Sequence, residues 1–96
     1  MAEVVWTEKA LARLREISDY IAEKNPAAAE KIVEGISVRV DQLEAHPESG
    51  YRYEESLMPI RILVYGNSIA YVVEGRERVS ILGVFHGAMD LKRHLD

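Results

Sequence analysis

The sequence predicts an α+β domain: an N-terminal short strand and an antiparallel helical hairpin packed on a twisted, mainly antiparallel sheet. Three observations carry this expectation. Apolar residues recur at helical spacing through the first half of the chain. That pattern breaks once, at Asn25-Pro26, with almost no loop. From Pro59 to Gly87 the pattern changes to β-branched alternation, interrupted at Gly66-Asn67 and at Glu74–Arg78.

Size and composition bound the rest. At 96 residues the chain is long enough for one domain, spanning 1–96, and short enough to gain stability from a partner. It has no cysteine, so a disulfide framework and a thiolate metal site are both excluded. The net charge of −4 argues against a generally basic, phosphate-binding surface. The acidity is local. Residues 1–49 hold six Lys/Arg and ten Asp/Glu, whereas 50–96 hold six of each. The sheet half can therefore carry a local basic site. The stretch Met1–Trp6 has an acidic residue where a signal peptide carries basic ones. No apolar run reaches membrane-spanning length. The expectation is a cytoplasmic protein that does not engage a membrane.

Glu3–Trp6 is β-branched and aromatic and reads as a short strand. Thr7 follows as a helix N-cap, with Glu8 in the first turn where the dipole favours negative charge. Ala10, Leu11, Leu14, Ile17, Tyr20 and Ile21 then mark one apolar helical face, which ends near Lys24. Proline disfavours a helical residue before it but suits the first position of a helix, so Asn25 caps a second helix from Pro26. Its face runs through Ala29, Ile32, Val33, Ile36, Val40 and Leu43 to His46-Pro47. Gly35 lies inside it at a cost of about 1 kcal/mol relative to alanine. Glu48–Gly50 is a turn, and Tyr51–Met58 reads as either a short strand or an irregular connection.

The sheet faces follow from the turns. Gly66-Asn67 reads as a two-residue turn that sets Tyr65 opposite Ser68 and Arg61 opposite Val72. One face then holds Ile60, Ile62, Val64, Ile69, Tyr71 and Val73 and is expected to receive the helices. The mixed face holds Arg61, Leu63, Tyr65, Ser68, Ala70, Val72 and Glu74. A three-residue loop at Gly75-Arg76-Glu77 sends Val79, Ile81 and Phe85 to the core, and Ser80, Leu82, Val84 and His86 to the mixed face. A one-residue slip in either turn would reverse these assignments.

No phosphate-binding glycine loop and no metal-ligand spacing is present, so no cofactor and no metal is expected. Glu54-Glu55, adjacent on an extended segment, point to opposite sides and read as solvated surface. Arg61 sits between two isoleucines in mid-strand and needs a partner. That partner is either an anion such as phosphate or a carboxylate from Glu54, Glu55 or Glu74. His86 at a strand end is either a general acid/base or a backbone-binding residue that fixes the turn. Tyr65 either stacks and donates a hydrogen bond or simply packs.

Several short motifs, in this order and over nearly the whole chain, resemble the ParE/RelE superfamily of type II toxins. They are Trp6-Thr7, Tyr20-Ile21-Ala22 with Asn25-Pro26-Ala27-Ala28, His46-Pro47-Glu48-Ser49-Gly50, Ile60–Tyr65, and Val84-Phe85-His86-Gly87-Ala88-Met89-Asp90. The resemblance implies a toxin neutralised by a cognate ParD-like antitoxin, in a hetero-oligomer, with DNA binding left to the antitoxin. Two functions live on such a fold: inhibition of DNA gyrase by protein binding, and ribosome-dependent mRNA cleavage. For the second, the resemblance maps Arg61 to a phosphate-binding arginine and His86 near a catalytic histidine. The hairpin and the His-Gly-Ala-Met-Asp ending resemble ParE more closely, although Met89 stands where an arginine is common. On that reading the chain is not an enzyme, and Arg61, Tyr65, His86 and Asp90 are candidates for the face that meets target or partner. A degenerate, non-toxic antitoxin binder is a further alternative.

Overall fold

The computed structural model describes residues 2–75 and 77–85. Strand β1 (Glu3–Trp6) leads into helix α1 (Glu8–Ala22) and helix α2 (Pro26–Asp41), followed by a short 3-10 turn over Gln42–Glu44. Strands β2 (Tyr51–Arg52), β3 (Ile60–Tyr65), β4 (Asn67–Glu74) and β5 (Arg78–Phe85) complete the fold. The five strands form one sheet in the order β1-β5-β4-β3-β2, antiparallel except where β1 pairs with β5.

Both expected caps form. The Thr7 hydroxyl accepts from the Ala10 amide at 3.2 Å and donates to the Ile81 carbonyl at 2.8 Å, which ties the start of α1 to β5. The Asn25 side chain accepts from the Ala28 amide at 3.1 Å, and Pro26 occupies the first turn of α2. The hairpin buries Ala10, Leu14, Ile36, Val40 and the following Leu43 against Leu63, Ile69, Tyr71, Val79, Ile81 and Val84 of the sheet. A second apolar cluster of Ile60, Ile62, Ala70, Val72 and Phe85 lies on the opposite sheet face, with Tyr53 and Leu82 packed against it.

The register of β3 against β4 differs from the expected one. The reversal uses Gly66 alone, at φ +65°, so Tyr65 pairs with Asn67 and Arg61 with Tyr71. A loop one residue shorter changes which β3 residues share a side with Ile69, Tyr71 and Val73. Arg61, Leu63 and Tyr65 are therefore on the helix side, and Ile60 and Ile62 bury in the second cluster. Glu74 pairs with Arg78 as expected, and Val79 and Ile81 enter the main core. Beyond Ile81 a bulge intervenes: Tyr71 pairs with Ile81 but Ala70 pairs with Gly83, which leaves Leu82 over. An extra residue reverses the alternation beyond it. Val84, expected on the mixed face, consequently joins the main core, and Phe85, expected there, joins the second cluster.

Candidate functional site

Arg61 is the second residue of β3, with Tyr71 opposite on β4 and Arg52 opposite on β2. Its guanidinium does not pair with Glu54, Glu55 or Glu74. Nη1 donates to the Gly50 carbonyl at 2.8 Å and reaches the Glu48 carbonyl at 3.4 Å. The register explains this: the side chain points toward the loop entering β2, not toward the far end of β4.

Tyr71 works on the same loop from the buried side. Its ring is fully enclosed, and its hydroxyl must find partners there. It donates to the Pro47 carbonyl at 2.8 Å and accepts from the Gly50 amide at 2.9 Å. Both backbone groups of Gly50 are thus held by side chains of the neighbouring strands, its N–H by Tyr71 and its C=O by Arg61. Gly50 is buried, and a Cβ there would come within 2.6 Å of the Ile62 carbonyl oxygen and 2.8 Å of the Tyr71 ring. Upstream, the Ser49 hydroxyl donates to the His46 carbonyl at 2.6 Å. The His46–Gly50 segment is therefore a fixed platform beside Arg61. Burial pushes the Tyr71 phenol above its ordinary value of 10.0, against the smaller lowering effects of the Gly50 bond and the nearby Arg61 charge.

Arg61 and Arg52 stand directly opposite each other on antiparallel strands. Among the described residues neither makes an ion pair, and no guanidinium nitrogen of Arg61 besides Nη1 has a hydrogen-bond partner. Like charges placed this way repel, so the pair is open to an anionic partner. Tyr65 shares this side of the sheet but turns toward α2: a Cβ on Gly35 would overlap its ring. That close approach is why a glycine occupies the interior of α2. His86 and Asp90 lie outside the described residues. No His/Cys/Asp/Glu group that could hold a metal ion occurs among the described residues. No helix among them is long and apolar enough to cross a membrane.

Sequence reasoning singled out Arg61 but assigned it to the other face of the sheet and missed its partners. Tyr71 read as one more core residue and Gly50 as an ordinary turn residue. The available signal was the hydroxyl: a tyrosine in an otherwise apolar strand requires a hydrogen-bond partner at depth.

Relatives share this architecture over nearly its whole length. "Toxin RelE2" of Caulobacter vibrioides is 34% identical over 88 residues, covering 92% of this chain and 98% of its own length. The protein Y4kP of Sinorhizobium fredii is 39% identical over 83 residues, covering 84% of this chain and 83% of its own. A solved structure described as the chromosomal ParDE TA system from P. aeruginosa superposes with a TM-score of 0.75 at 28% identity, covering 92% of this chain and 98% of that one. The family model for the ParE toxin of the type II toxin–antitoxin system parDE matches residues 4–91. That span runs from β1 through the hairpin, the clamped loop and the sheet, and with it the chain belongs to the ParE toxin family of type II toxin–antitoxin systems, within the ParE/RelE superfamily.

Proposed function

We propose that the chain is a ParE-like toxin that acts in the cytoplasm, inhibits DNA gyrase by protein binding, and is neutralised by a ParD-like antitoxin in a hetero-oligomer. The family match over residues 4–91 carries this reading. Arg61, Tyr65, His86 and Asp90 are proposed as residues of the target- or partner-binding face.

A second reading has one observation in its favour. The Arg52/Arg61 couple, which makes no ion pair among the described residues, suits a phosphate, as a RelE-like, ribosome-dependent mRNA endoribonuclease would require. Expression of the chain alone, beside Arg61→Ala and His86→Ala variants of matched solubility, separates the two. Growth arrest with DNA breaks and filamentation, and with mRNA intact in every version, supports the gyrase reading. Arrest with mRNA cleavage, lost in both, supports the nuclease. No arrest from any version removes the toxin activity and leaves an antitoxin-binding member of the family.

A further inference from the structure

The loop between β2 and β3 is braced from within. The Tyr53 amide donates to the Ile60 carbonyl at 2.9 Å and closes its base. The Ile60 amide donates back to the Met58 carbonyl at 2.8 Å. The Met58 amide donates to the Ser56 hydroxyl at 3.2 Å, and the Tyr53 hydroxyl to a Glu55 carboxylate oxygen at 3.1 Å. Pro59 fixes its own φ and holds Met58 out of the helical region. The tip of this fixed loop is apolar. Leu57 is fully exposed, and Met58 is more than half exposed.

One leucine in water is ordinary and needs no explanation. This one continues a strip. Ile60 and Ile62 of β3 lie in the apolar cluster on the sheet face away from the helices, and alternation gives Val64 the same face. Tyr51 pairs directly with Ile62 and shares that face, and Tyr53 packs on the cluster. Val64 and Tyr51 are each more than half exposed. The face therefore carries exposed apolar side chains along its β2 edge, from Val64 through Tyr51 to Met58 and Leu57. Beside the tip, Glu54 and Glu55 are exposed, and neither makes an ion pair among the described residues. Arg52, between Tyr51 and Tyr53 in sequence, lies on the other face.

We infer that this strip is the surface by which the chain engages the protein it inhibits, with Leu57 as the residue that enters a pocket of that protein. The inference rests on the reading of the chain as an inhibitor that acts by protein binding. The partner's chemistry follows from the surface. A protruding leucine needs a preformed apolar pocket, so the partner is folded at the contact, whereas an extended peptide has no pocket to offer. The carboxylates of Glu54 and Glu55 call for Lys or Arg on the rim of that pocket. A second copy of this chain would set two Glu54-Glu55 pairs against each other across a two-fold contact, and an anionic membrane would repel them. The braced loop has little freedom left to lose on docking, which favours a contact made by few residues.

Binding of the purified chain to purified gyrase, and separately to its antitoxin, tests the surface with Leu57→Ala and with a Glu54→Gln/Glu55→Gln variant. Leu57 is fully exposed, so its truncation opens no cavity and leaves the melting temperature unchanged. Glutamine at 55 keeps an acceptor for the Tyr53 hydroxyl. Leu57→Ala is expected to weaken gyrase binding by ~30-fold or more, as for a central anchor, and to leave antitoxin binding unchanged. The glutamine variant binds gyrase several-fold more weakly at low salt and with a flatter salt dependence. Gyrase binding at wild-type strength by Leu57→Ala overturns the surface and leaves the gyrase reading standing. An equal loss of affinity for the antitoxin overturns it in favour of the antitoxin as occupant. A doubled mass of the chain alone, which Leu57→Ala returns to the monomer, overturns it in favour of a second copy. Wild-type chain that does not bind gyrase at all removes the gyrase reading, and the partner of this surface with it.

Discussion

Replacing Tyr71 by phenylalanine removes one oxygen and tests whether the clamp on Gly50 holds the fold together. The ring stays buried and keeps its packing, so no cavity larger than a hydroxyl is created. What is lost is a pair of hydrogen bonds, from the Gly50 amide to the phenol at 2.9 Å and from the phenol to the Pro47 carbonyl at 2.8 Å. A net intramolecular bond is worth about 1 kcal/mol, and a buried donor left without a partner costs about 1–3 kcal/mol. Gly50 is buried, so its amide falls in the second class, whereas the Pro47 carbonyl is part-buried and can recover water. The expected destabilisation is about 2–3 kcal/mol. For a domain of this size that is a fall in Tm of roughly 10–20 °C. Urea unfolding of both proteins, with the slope unchanged, gives the free-energy difference. Faster exchange of the Gly50 amide under native conditions locates it. A Tm within about 2 °C of wild type, with Gly50 still protected, would refute the claim that the phenol holds this loop.

Other outcomes follow from the same region. Arg61→Lys keeps the charge but not the forked donor, and is expected to lose about 1 kcal/mol by urea unfolding and to loosen residues 48–50 in amide exchange. Gly50→Ala drives a methyl into the Ile62 carbonyl and the Tyr71 ring, and is expected to cost at least about 2 kcal/mol in the same assay. Gly35→Ala should be near neutral alone, because the gain in helix propensity of about 1 kcal/mol offsets displacement of the Tyr65 ring. Made on top of Tyr65→Ala, the same change should stabilise by about 1 kcal/mol, and additivity of the two substitutions would contradict the contact. Tyr71 also sets an alkaline limit. Its folded-state value is raised, so its contribution is fully present below pH 10.0, the unfolded value, and is lost as pH rises through the higher folded value. Stability measured from pH 9 upward should fall less steeply in Tyr71→Phe than in wild type.

The helical half was legible because its signals are local. Thr7, Asn25 and Pro26 act within one turn of the residues they cap, and the apolar faces of α1 and α2 follow from spacing alone. The sheet was legible in content but not in register. Gly66 reverses the chain by itself where Gly66-Asn67 read as a two-residue turn, and that single residue moves Arg61 and Tyr65 to the helix side. The bulge at Leu82 is marked only by the glycine beside it, Gly83, and Ser80-Ile81-Leu82-Gly83-Val84 fits either register. The site divides in the same way. Arg61 stood out as a cation among isoleucines, but the carbonyls it binds lie eleven and 13 positions away, and Tyr71 is 21 positions from Gly50. Contacts of that range depend on strand pairing, which the local pattern did not fix.

The most direct test of the toxin reading is a supercoiling assay with purified gyrase and the purified chain, alone and with an excess of its antitoxin. Dose-dependent loss of supercoiling, relieved by the antitoxin and accompanied by no mRNA cleavage, is the expected result. Full gyrase activity at saturating chain, together with ribosome-dependent mRNA cleavage that Arg61→Ala abolishes, would contradict it.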